Sequence, residues 1–170
     1  MNGASIINMA LDATECPIQK PSDYDIQKIF YSGKAGMHTI KYEIGTELQT
    51  GLFVWIFGGI PGSVHDLSMA RISSILDQIL PGEFILADKG YIGENQFITP
   101  LKKPTNEEEE QEYNSFIYSK RIIVENSIGR IKFFNFSTRE WKHDLELHSL
   151  AMKALVRILN IDIQFRPLRK

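Results

Sequence analysis

The stretch Tyr118-Ser-Lys-Arg-Ile-Ile-Val-Glu-Asn-Ser-Ile-Gly-Arg-Ile-Lys132 decides how the rest of the chain is read. It contains no proline, and its polar residues recur at helical intervals. At about 100° per residue, Tyr118, Arg121, Glu125 and Lys132 fall within roughly 60° of one another on a helix. Ile117, Val124, Ile128 and Ile131 form a second stripe beside them, wide enough to be a buried face. One helix edge therefore carries a carboxylate, two cations and a phenol at the border of a core, where a cleft can form. An exposed Arg121–Glu125 pair four residues apart, contributing about a few tenths of a kcal/mol, accounts for two of these residues equally well.

Upstream, apolar segments alternate with turn signals. Ser5 to Asp12 reads as a short strand ending on an aspartate, followed by a loop containing Pro17. Ser22 to Gly36 is polar, with Gly33 and Gly36 as turn residues. His38 to Leu48 reads as a strand with Ile40, Tyr42 and Ile44 on one face and Lys41 and Glu43 on the other. Leu52-Phe-Val-Trp-Ile-Phe57, uncharged and rich in aromatic and β-branched residues, predicts a central strand, with Trp55 in the core. Gly58-Gly-Ile-Pro-Gly62 breaks it without the Gly-Lys-Ser/Thr of a Walker loop. Ser63-x-x-Asp66 resembles a capping box, with Asp66 read as a cap, ahead of a helix whose face includes Leu67, Ala70, Ile75 and Ile79. Glu83-Phe-Ile-Leu-Ala-Asp88 is a further strand ending on an aspartate, and Phe97 to Pro100 is strand-like.

Thr105-x-x-Glu108 either caps the next helix, with the following glutamates favourable at its N-terminus, or belongs to a solvated loop. Downstream of Lys132, Leu147, Leu150, Ala151, Ala154, Leu155 and Ile158 trace the expected buried stripe of a closing helix. Strands followed by helices predict an α/β domain with a mixed sheet flanked by helices.

At 170 residues the chain is long enough for one domain with a real core. Its single cysteine, Cys16, excludes an internal disulfide framework, supplies no zinc site by itself and fits a reducing, intracellular setting, as a small apolar residue. No apolar run approaches membrane-spanning length, and no signal peptide is read at the start. The net charge of −2 does not announce a nucleic-acid binder. Residues 113–170, however, hold eleven Lys/Arg against five Asp/Glu, and five glutamates cluster in 107–112. Clustered base on a near-neutral chain permits phosphate binding without demanding it.

Asp12 and Asp88 end apolar strands, and Glu125 lies on a helix edge. Adjacent strands ending together would place the aspartates side by side, with the helix bringing the glutamate across. Three carboxylates a few ångströms apart need a counter-charge, and a hard divalent cation supplies one. Turn or cap roles are the commoner use of each aspartate taken alone.

Tyr-x2-Arg-x3-Glu-x6-Lys resembles the signature around the third acidic residue of DDE transposases. Leu11-Asp-Ala-Thr-Glu-Cys-Pro-Ile18, Tyr31-Ser-Gly-Lys34 with His38-Thr-Ile-Lys41, Pro61-Gly-Ser-Val-His-Asp66, Ala87-Asp-Lys-Gly-Tyr91 and Asn160-Ile-Asp-Ile-Gln-Phe-Arg-Pro167 are similar to segments shared by bacterial insertion-sequence transposases and Harbinger-type elements. The resemblance implies a single RNase H-like catalytic domain over residues 1–170, with a mixed five-stranded sheet. It implies Asp12, Asp88 and Glu125 as catalytic and metal-binding residues for two Mg²⁺ or Mn²⁺ ions. It also implies metal-dependent hydrolysis of DNA phosphodiesters and joining of the 3′-hydroxyl to target DNA.

Within that resemblance Arg121 and Lys132 would hold phosphate, Tyr118 would contact DNA, and Lys34, His38 and Lys41 would line its path. The implied partners are transposon ends and target DNA, further copies in a homo-oligomer and a separate DNA-binding protein, with no membrane. The implied setting is intracellular, and nuclear in a eukaryote. Relatives of this type carry an N-terminal helix-turn-helix region before the first strand, and with Asp12 so early the expectation is that this region is absent. The alternatives are a domesticated or truncated non-catalytic derivative that binds DNA or protein, and another metal-dependent phosphohydrolase acting on a small molecule.

Overall fold

A computed structural model describes residues 6–105 and 107–168. Its frame is a sheet in the order β4-β3-β1-β5-β6, with a short β2 also paired to β3. The strands are β1 (Ile6–Pro17), β2 (Tyr31–Ser32), β3 (Met37–Glu47), β4 (Phe53–Pro61), β5 (Glu83–Leu86) and β6 (Phe97–Ile98). The helices are α1 (Tyr24–Phe30), α2 (Asp66–Ile72), α3 (Glu108–Lys132), α4 (Asn135–Thr138) and α5 (Leu145–Phe165). β1, β3 and β4 form an antiparallel meander, whereas β5 and β6 run parallel to β1. This mixed α/β sheet flanked by helices is compatible with the RNase H-like fold. It has six strands rather than five, because the Gly33–Gly36 turn folds Tyr31 and Ser32 back onto His38 and Met37.

Period-two alternation divides the core into two layers. Ala10, Cys16, Ile40, Tyr42 and Ile44 face α3 and α5, where Ile117, Val124, Ile131, Leu155 and Leu159 cover them. Leu11 and Ile85 face the opposite layer, built from Ala70, Ile75 and Tyr91. On α3, Ile117, Val124 and Ile131 are buried, and Ile128 is partly so. The glutamates Glu108, Glu109 and Glu110 occupy the first turn of α3, where the helix dipole favours them, and Thr105 donates to Glu110 just ahead of it.

Several local expectations change. The polar segment before Gly33 contains α1, whose N-cap Asp23 accepts from the N–H groups of Asp25 and Ile26. β4 is an edge strand, paired only with β3 among the described strands. It carries apolar residues for both layers: Phe53 and Ile56 join the α5 layer, and Trp55 packs against the other. Its open backbone at Phe53 is met by Asn160 of α5, which donates to the carbonyl at 2.8 Å and accepts from the N–H at 2.8 Å. That pairing also fixes which side of α5 is buried. His148, Met152, Leu155, Val156, Leu159 and Ile163 point inward, while Leu147, Leu150 and Ile158 of the expected stripe are exposed. α5 is apolar around much of its circumference, so periodicity allowed both faces; Asn160 and His148 select one. Among the described residues no helix is long and apolar enough to cross a membrane.

Candidate active site

Asp12 extends from β1 on the side facing α3. β1 runs on to Pro17, so Asp12 lies within the strand rather than at its end. Asp88 comes two residues after Leu86, the last of β5, which is the parallel neighbour of β1, and the two strands deliver both carboxylates to one place. The Asp88 turn is held by Tyr91, whose N–H bonds to the Asp88 carbonyl at 3.0 Å and whose ring is fully buried against Phe97. Gly90 lets α2 approach this turn, since a Cβ there would lie 2.6 Å from Asp66 Oδ2.

Arg121, on α3, spans the two aspartates. Its Nη2 donates to Asp12 Oδ2 at 2.9 Å and its Nη1 to Asp88 Oδ1 at 3.3 Å. The guanidinium is inside, with the arginine side chain only 5% exposed, against 21% for Asp12 and 41% for Asp88. Arg121 Nε is buried without a hydrogen-bond partner. Burial raises the Asp12 carboxyl above the ordinary carboxylate range, against the pull of Arg121 and the Ala13 N–H; the Asp88 charge adds to the rise and the Lys34 charge opposes it.

Glu125 follows one turn after Arg121 and is exposed. Among the described residues no three His, Cys, Asp or Glu side chains are grouped closely enough to hold one metal ion. The structure therefore brings Asp12 and Asp88 together around Arg121 and leaves Glu125 exposed on α3, outside that pairing.

The other predicted residues separate into three kinds of surroundings. Lys34 and Tyr118 are exposed, and the Lys34 charge is felt at Asp12. Lys41 and Lys132 are occupied by protein acceptors. Lys41 is buried, donating to the Val64 carbonyl at 2.6 Å and pairing with Asp66 at 3.2 Å and Glu15 at 3.6 Å. Lys132 donates to the carbonyls of Glu15 and Ser137 and thus ties the end of α3 to β1. His38 packs its ring edge-on to Tyr31.

Asp66 does not cap α2: it is the helix's first residue, its side chain engages Lys41, and His65 is the N-cap. A cleft of about 250 Å³ opens among Lys34, Lys41, Asp66 and Gly90. Glu43, read from the sequence only as a strand-face residue, is a fully buried carboxylate that accepts from Trp55 Nε1 at 2.9 Å. Burial raises its pKa, and its other oxygen and the Tyr91 hydroxyl lack partners in hydrogen-bonding geometry. Only the β1–β3 register, pairing Ala13 with Glu43 and Glu15 with Lys41, reveals these groups as neighbours of the site.

Residues 11–160 match the family described as DDE superfamily endonuclease. The chain belongs to that superfamily. It is 30% identical over 166 residues to a protein described as the probable transposase for insertion sequence element IS702, from Microchaete diplosiphon. The match covers 93% of this chain and 58% of that relative. No solved structure matches the chain. The matched residues 11–160 include Asp12, Asp88, Arg121 and Glu125.

Proposed function

We propose that the chain is the catalytic domain of a divalent-metal-dependent DNA transposase, hydrolysing phosphodiester bonds and joining the freed 3′-hydroxyl to target DNA. The observation that carries this reading is the convergence of Asp12 and Asp88, from neighbouring parallel strands, on a single cationic group. Their donor chemistry fits a hard cation, since two carboxylates at one buried-to-solvent boundary already draw a positive charge between them. Asp12 and Asp88 would hold Mg²⁺ or Mn²⁺, with the exposed Glu125 as the further donor. Two such ions supply Lewis-acid activation of the attacking hydroxyl or water and charge stabilisation at the departing 3′ oxygen.

The chain's own groups orient the substrate. Lys34 stands exposed beside the cleft, where it would meet a backbone phosphate as a point charge, and Tyr118 offers a ring and a hydroxyl from the exposed edge of α3. Lys41 and Lys132 act from within: they hold Asp66, Glu15 and the end of α3 in place. Their contribution to DNA binding is thus to position the strands that carry the aspartates.

Incubating the protein with intact and nicked duplex DNA in Mg²⁺ or Mn²⁺, with a small phosphodiester as control, tests this. Metal-dependent DNA cleavage lost in Asp88→Asn supports the assignment. Cleavage of the small ester alone indicates a phosphohydrolase of another kind, and DNA binding without cleavage indicates a non-catalytic derivative.

A further inference from the structure

We propose that Arg121 is a displaceable internal counter-cation that competes with divalent metal for the Asp12 and Asp88 carboxylates. This rests on the metal-dependent reading above and adds a step to it: loading of the site requires the guanidinium to leave. The geometry is specific. One planar fork reaches two carboxylates from two different strands, at 2.9 and 3.3 Å, and covers one oxygen of each. A cation bound between the same oxygens and the docked fork exclude each other.

Two features mark the docked arginine as poised rather than permanent. Its Nε–H is buried with no acceptor, which leaves one donor of the fork desolvated and uncompensated. Two carboxylates around one guanidinium also leave an excess negative charge, which a divalent ion can neutralise and arginine cannot. The charges within reach are few: Lys34 acts on Asp12 from the exposed turn, and the aspartates act on each other. Once released, the guanidinium stands at the mouth of the site as a bidentate phosphate ligand. Metal loading and DNA binding therefore favour each other, with Arg121 as the link.

Titration calorimetry with Mn²⁺ on wild type, Arg121→Gln and Asp88→Asn tests the competition without any activity readout. If the docked arginine holds about nine-tenths of the population, its removal tightens apparent affinity about tenfold. Tighter binding by Arg121→Gln, with binding weakened in Asp88→Asn, is the expected result. Equal or weaker binding by Arg121→Gln overturns the competition while leaving the metal site standing. Absence of binding by all three proteins overturns the metal reading and the competition with it.

A measurement on the wild type covers the case in which Arg121→Gln does not fold. The Arg121 Nε–H resonance, shielded while docked, should shift or exchange away as Mg²⁺ is added, at the concentrations that saturate the site. A resonance unchanged at saturation shows that the arginine stays docked, and overturns the proposal.

Discussion

At the scale of single residues, the site is governed by which carboxylates have a partner. Asp12 and Asp88 share Arg121, whereas Glu125 is exposed and takes no part in that pairing. Glu125→Gln is therefore expected to change the stability of the metal-free protein by no more than about 0.5 kcal/mol, as for other surface substitutions. It should nevertheless reduce the rise in melting temperature on adding Mg²⁺, and paired melting curves with chelator and with metal check both halves.

A second residue gives a pH signature. His148 is fully buried, with Nε2 3.1 Å from the Phe136 carbonyl and Nδ1 2.7 Å from the Tyr42 hydroxyl. A carbonyl only accepts, so Nε2 carries a proton; burial disfavours a second one, and in the neutral ring Nδ1 accepts from Tyr42. Burial lowers its pKa below the ordinary 6.5. The unfolded chain then binds the extra proton first, so stability is complete above about pH 6.5 and falls as pH drops toward the depressed folded value. Denaturant titrations at descending pH should show this loss, and His148→Gln should flatten that part of the profile.

At the scale of elements, β3 was legible from the alternation of Ile40, Tyr42 and Ile44 against Lys41 and Glu43, and α3 from the recurrence of Ile117, Val124 and Ile131. The orientation of α5 was not legible, because Leu147, Leu150 and Ile158 compete with Met152, Leu159 and Ile163 for the inward side. Only long-range partners on β3 and β4 break the tie. Substitution separates the two faces: Leu155→Ala should cost about 2–5 kcal/mol as a core truncation. Leu150→Ala, on the exposed side, should remain within about 0.5 kcal/mol. Equal losses at both positions would place α5 in a different orientation.

α1 escaped the sequence reading because it has no buried residue and hence no apolar stripe to betray it. Asp66 was misread for a related reason. A Ser-x-x-Asp spacing looks like a cap locally, but its partner Lys41 is twenty-five residues away and visible only once β3 is placed. Asp88 was legible because a hydrophobic run that stops on a carboxylate is a local pattern; the same pattern picked out Asp12 but misplaced the strand end, since pairing with β3 carries β1 on to Pro17. Their common partner Arg121 was read as a phosphate ligand, since nothing local shows it turned inward.

At the scale of the whole molecule, the near-neutral chain concentrates base in its C-terminal third, while Lys41, Arg121 and Lys132 are already engaged inside. DNA binding by this domain should accordingly be weak and fall with salt, with a slope proportional to the number of phosphates neutralised. Fluorescence anisotropy on unrelated duplexes over a salt series measures it, and tight, salt-insensitive binding to one sequence would contradict it. The central claim, a divalent-metal site built on Asp12 and Asp88, is tested most directly by crystals soaked in Mn²⁺. The anomalous difference map should place its strongest peak between those two carboxylates; a strongest peak elsewhere, with both aspartates clear of it, would contradict the assignment.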